Sequence, residues 1–157
     1  MTYRLDFFTQ YGQFYIADEE SEKGDIGSDF WNEIALTTRL ALSDGILGIA
    51  LENDECKAKV EVSVLESSPV CVNNIANADH VVEGNIRIPS GSLQIQDCPN
   101  SKVELEIAID PSDYRCRIYA FNLNHAYETE PKDHYRIEIW KEPYKAVKIL
   151  KQWLPNY

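Results

Sequence analysis

Three histidines, four cysteines and a dense run of carboxylates are the residues of this 157-residue chain with the most obvious chemistry. His125 and His134 flank the stretch NHAYETEPKDH, which also carries Glu128, Glu130 and Asp133. Imidazole nitrogens and carboxylate oxygens together could ligate a divalent cation. The spacing follows no compact zinc pattern, however, and the stretch has the composition of a long hairpin loop. Cys116 and His125 could form a nucleophilic pair, yet Cys116 alternates into the buried face of a strand, where a thiol is inert packing. The sequence holds no serine elbow, no P-loop and no glycine-rich dinucleotide fingerprint, so no cofactor is implied. Carboxylates are so abundant that no two stand out as an acid–base pair. A hydrolase with carboxylates on a sheet rim is therefore the weakest of the functional readings.

What stands out instead is IADEESEKGDIGSDFWNE, residues 16–33, with Asp18, Glu19, Glu20, Glu22, Asp25, Asp29 and Glu33 opposed only by Lys23. The whole chain carries a formal charge of −11. That balance argues against direct nucleic-acid binding, which needs cations to neutralise phosphates, and against an anionic membrane surface. It favours steered encounters with basic partners. The C-terminal stretch is the exception, with Lys141, Lys145, Lys148 and Lys151 against Glu142. These lysines read as a solvated face, or as a tail folding back on the acidic body.

No apolar run approaches the roughly 20 residues of a membrane span. The opening MTYRLDFF has no basic stretch followed by an apolar one, so no export signal is visible. A cytoplasmic protein is expected, with Cys56, Cys71, Cys98 and Cys116 as reduced thiols, since they form no CxxC pair.

Period-2 alternation dominates the chain. KAKVEVSVLE sets Val60, Val62 and Val64 on one face, KVELEIAID does so with Val103, Leu105, Ile107 and Ile109, and HYRIEIW with Tyr135, Ile137 and Ile139. YRCRIYAFNLN is apolar on both faces in its middle and should be a central strand. Leu5 and Phe7, then Phe14 and Ile16, mark two N-terminal strands or one strand bent near Gly12. ILGIALE, EGNIRIP and SLQIQ complete the set. One good internal helix is too few for parallel crossovers, so the fold class is mainly β: an antiparallel two-sheet β-sandwich, in a single domain over 1–157.

The helix is expected over 29–42, capped by Ser28 or Asp29, with Phe30, Trp31, Ile34, Ala35, Ala41 and Leu42 facing the sheet. Leu36 and Leu40 form an i, i+4 pair on a second face beside Glu33, either packed under a loop or exposed to a partner. After Pro143 the chain is either a C-terminal helix, with Ala146, Val147, Leu150 and Trp153 on one face, or an extended tail wrapping the sheet.

The order of these features resembles the competence protein J family. The matching residues are Trp31 on the helix, Ser43, Asp44 and Gly45 at a turn, Ile46 and Ile49 on the next strand, and Tyr135, Arg136, Ile137 and Trp140 on the closing strand. The resemblance covers most of the chain in order, and departs from it in the longer acidic loop at 18–27 and the basic C-terminal segment. That family includes an inhibitor of a DNA-entry nuclease, and related sequences look like immunity proteins against nuclease toxins. The resemblance implies a binding inhibitor of a basic nuclease or toxin, not an enzyme. The interface expected from charge and exposure is Asp18, Glu19, Glu20, Glu22, Asp25, Glu33, Leu36 and Leu40. A small-molecule or carbohydrate-binding sandwich, its groove lined by Tyr and Trp, is the alternative. Self-association is left open.

Overall fold

Alternating side chains can bury one face of a strand only against a second layer. The computed structural model describes residues 1–21, 27–70 and 72–155. Its strands are β1 (Thr2–Gln10), β2 (Gln13–Asp18), β3 (Leu40–Ser43), β4 (Ile46–Ala50), β5 (Glu55–Leu65), β6 (His80–Ile88), β7 (Ser92–Gln96), β8 (Val103–Ala108), β9 (Ser112–Phe121), β10 (His134–Lys141) and β11 (Lys148–Lys151). Among the described residues two short α-helices, α1 (Glu33–Thr38) and α2 (Val72–Asn77), and a single 3-10 turn at Leu123–His125 interrupt them. One sheet has six strands in the order β1-β5-β10-β9-β6-β11, the other five in the order β3-β4-β2-β7-β8. The fold is a mainly β two-sheet sandwich.

The alternation places most side chains as expected, though Val103, at the start of β8, is exposed. Val60 and Val62 of β5 and Tyr135, Ile137 and Ile139 of β10 are buried in one core with Phe14, Ile16, Leu47, Ile49, Leu93, Ile95 and, on β8, Ile107 of the facing sheet. β9 is indeed an interior strand, paired on both sides and buried on both faces. β1 and β2 follow each other in sequence but lie in different sheets. The corner between them is Tyr11 and Gly12, both at positive φ, where the chain bends as expected.

Pairing is antiparallel throughout except between β5 and β10, which run parallel. A parallel arrangement needs a crossover. The connection from β5 to β6 supplies it, passing two strand positions and carrying α2. Sequence patterning does not reveal α2, because VNNIAN is too short to show a helical period.

The expected helix over 29–42 is a six-residue helix followed by a strand. Asn32, not Ser28 or Asp29, is the cap: its Oδ1 accepts from the Ala35 N–H at 2.8 Å. Arg39 adopts a left-handed conformation (φ 62°) that ends the helix and turns Leu40 into β3. Phe30 and Trp31 precede the helix and lie on the outer face of the five-stranded sheet. Gly48 of β4 leaves room for them there, since a Cβ would come within 2.7 Å of Phe30 Cε2. Ile34, expected against the sheet, is exposed.

The C-terminal segment is extended, not helical. β11 pairs antiparallel with β6 at the sheet edge. Just before it, the Arg115 guanidinium donates to the carbonyls of Lys145 (2.9 Å) and Ala146 (3.0 Å), taking up acceptors that a helix would use internally.

Candidate protein-binding surface

The described residues among those expected to bind a partner fall at three separate places. Asp18, at the end of β2, is not a solvated loop charge: it is 2% exposed. Its carboxylate accepts from Ser90 Oγ (2.5 Å), Ser90 N (3.1 Å) and Glu20 N (3.1 Å), tying β2 to the turn between β6 and β7. An inward, fully bonded carboxylate cannot contact a partner, so Asp18 is a structural residue. Replacing Asp18 by Ala strands the Ser90 donors and should lower stability by about 1–3 kcal/mol, read as a lower urea midpoint. A change within experimental error would mean that the turn holds without it.

Glu19 and Glu20 follow and are exposed. Glu20, with Asp44 and Arg87, borders a cleft of about 330 Å³ at this end of the sandwich, where Arg87 also approaches Asp113 at 3.8 Å. Glu22 and Asp25 lie outside the described residues, as does Cys71.

Glu33 and Leu36 are on α1, at the other end of β3, and both are exposed, Leu36 at 65%. Leu40 is not part of that exposed face. It is fully buried in the core, and its Cδ2 fills the space above Gly84 of β6, where a Cβ would lie only 2.7 Å away. The i, i+4 pairing of Leu36 with Leu40 fails because the helix ends between them.

Leu36 borders a larger groove that sequence patterning does not reveal. It lies between α1, the loop from β9 to β10 and the C-terminal segment, encloses about 570 Å³, and takes in Arg39, Glu52, Tyr127 and Trp153. Each wall is held. Arg39 pairs with Glu52 at 2.5 Å and donates to the Ala50 carbonyl at 3.2 Å. Its guanidinium lies 5.3 Å from the centre of the Trp153 ring. Tyr127 donates its hydroxyl proton to the Glu52 carbonyl at 2.6 Å. His80 clasps the far wall: its Nε2 bonds the Thr38 carbonyl at 2.7 Å, and its Nδ1 accepts from the Trp153 N–H at 3.1 Å. Both bonds require the neutral imidazole with its proton on Nε2. Burial, chiefly, and the nearby Arg39 lower the His80 pKa and keep it in that form, against the opposing pull of the Thr38 carbonyl.

The outer face of the six-stranded sheet carries a second unanticipated cluster. Glu83 of β6 accepts from Arg115 Nε at 3.0 Å and Arg117 Nε at 2.6 Å. Arg115 also reaches Asn85 (2.8 Å), and Arg117 lies over the Trp140 ring. The only sequence signal for it is two arginines at alternate positions of a strand that is otherwise apolar on both faces. The cluster braces β6, β9 and the C-terminal segment.

Little in this arrangement suits covalent or metal chemistry. Burial pushes the Cys116 thiol up to about 12 and, with Asp133, the Cys56 thiol up to about 11, which leaves both protonated and unreactive near neutral pH. Cys98 is also raised by burial. His125 pairs with Glu128 at 2.5 Å, while His134 stacks on Phe121 at 4.7 Å. Among the described residues no three His, Cys, Asp or Glu side chains converge to hold a metal. Nor is any described helix long and apolar enough to cross a membrane.

No protein-family model and no curated protein matches the sequence. Two solved structures share its architecture. ComJ from Bacillus subtilis, described as an inhibitor of the DNA degrading activity of NucA, aligns with a TM-score of 0.66 over 90% of this chain and 96% of its own, at 18% identity. A protein described as crocagin biosynthetic gene J aligns with a TM-score of 0.57 over 91% of this chain and 99% of its own, at 16% identity. The chain therefore has the ComJ fold.

Proposed function

We propose that this protein is a non-enzymatic inhibitor that binds a basic nuclease or nuclease toxin. The observation that carries this reading is the architecture it shares, over nearly its whole length, with a protein that inhibits a DNA-degrading activity. Charge supports it. A nuclease holds phosphates with cations, and a chain of net charge −11 offers carboxylates to the same cations. The acidic segment contributes Glu19 and Glu20 with Glu22 and Asp25, and α1 contributes Glu33 and Leu36. Asp18 and Leu40 are left out of the proposed interface because both are committed to the interior.

The carbohydrate or small-molecule reading has less support. The large groove offers Tyr127 and Trp153 as aromatic platforms, but Arg39 already lies over the Trp153 ring.

The test is plasmid degradation by a purified nuclease from the same cells, with the protein added at increasing ratio. Protection complete at about one equivalent, with co-elution of the two proteins, is the expected result. Undiminished degradation and separate elution for every basic nuclease of those cells would end the proposal. Changing Glu19, Glu20, Glu22 and Asp25 together to Gln or Asn should slow association by about tenfold at low salt and leave dissociation nearly unchanged, because exposed charges steer more than they hold. Stopped-flow kinetics at several salt concentrations reads this. An unchanged association rate would make the acidic segment simple solvated surface.

A further inference from the structure

The groove beside α1 combines three properties. Its walls are locked by the Arg39, Glu52, Tyr127 and His80 contacts, so it is preformed. Its rim carries uncovered apolar side chains, with Leu36 at 65% and Tyr127 at 70% exposure. The unbalanced charge beside it is negative. Arg39, the cation within it, is neutralised by Glu52. Glu33, three residues before Leu36 and so on the same side of the helix, makes no ion pair among the described residues, nor does Asp54, whose charge acts on the Tyr127 phenol.

We infer that this groove is a docking site for an apolar side chain carried on a Lys- or Arg-bearing segment of a partner protein. The apolar rim supplies the desolvated contact and the unpaired carboxylates select basic flanks. A second copy of this chain is a poor occupant, since two bodies of charge −11 repel, and the same charge disfavours nucleic acid. That the segment belongs to a nuclease rests on the function proposed above; the chemistry of the groove does not.

Two measurements separate these claims. In the first, the isotopically labelled full chain is titrated with the peptide KKLWKK and with its acidic counterpart EELWEE, and followed by NMR. Shifts concentrated at Thr37, Asn124 and the Trp153 indole are expected, with the basic peptide binding about tenfold more tightly and losing that advantage in high salt. Leu36→Ser with Tyr127→Ser, both at exposed positions, should weaken it by about tenfold, while the spectrum of the rest of the fold is retained. Equal binding of the two peptides, or shifts centred elsewhere, would overturn the inference. In the second, the same double variant is assayed against an inhibited nuclease, where about tenfold faster dissociation is expected. An inhibited nuclease that leaves the double variant at the wild-type rate shows that the groove does not dock it, and overturns the inference while the inhibitor reading stands. Peptide binding in the groove with no nuclease inhibited upholds the docking site and removes the proposed function.

Discussion

Replacing Glu83 by Ala is expected to cost about 3–5 kcal/mol, because it leaves two buried guanidinium groups without their counter-charge. Arg115 is 2% exposed and Arg117 is nearly as deep. Burial works against the charge on Arg117, and its hydrogen bonds with Tyr119 and Glu83 more than offset that penalty. The effect should extend beyond the sheet, since Arg115 also holds the carbonyls of Lys145 and Ala146. Faster amide exchange over 145–151 should therefore accompany the lower urea midpoint. Glu83→Gln keeps the shape and one acceptor, and should lose less. A loss below about 1 kcal/mol for the Ala variant would mean that water readily reaches these arginines.

Leu40→Ala is expected to cost about 2–5 kcal/mol, the usual range for emptying a fully buried leucine site. The side chain joins β3 to β6 across the sandwich by filling the space that Gly84 leaves, and the surrounding strands are paired too firmly to close over the gap. Leu36→Ala, four residues earlier, should change stability by less than about 0.5 kcal/mol, because that side chain is mostly in water. Thermal and urea unfolding of the two variants side by side gives the comparison. Similar losses would contradict the helix end at Arg39 that separates them. Leu40→Ala should not act on a partner complex except by depleting folded protein.

Much of the sandwich is legible in the sequence because strand periodicity is a local property. Val60 and Val62, or Tyr135, Ile137 and Ile139, can share a face only if the backbone is extended, and two such faces must meet. The bend at Gly12 and the interior position of β9 follow from equally local signs. The same locality explains where patterning misleads. From Phe30 to Leu42 the apolar spacing suits a helix, but short apolar runs fit helix and strand alike. The outcome depends on two vacancies outside that run, Gly48 on the next strand, which accepts Phe30 and Trp31, and Gly84 on the distant β6, which accepts Leu40.

Charge shows the same division. The net charge of −11, and with it the class of partner favoured, belongs to the sequence alone, because it is a sum that folding does not change. The role of each carboxylate depends on its neighbours. Asp18 sits in the same acidic run as Glu19 and Glu20, yet it turns inward because Ser90, far along the chain, brings two donors to it. Glu52 and Arg39 build a groove, and Glu83 braces a sheet, only because strand register sets their partners beside them. Which residues are apolar or charged is written along the chain. Which of them meet water, and which meet each other, is decided by contacts between segments that only the folded sheets bring together.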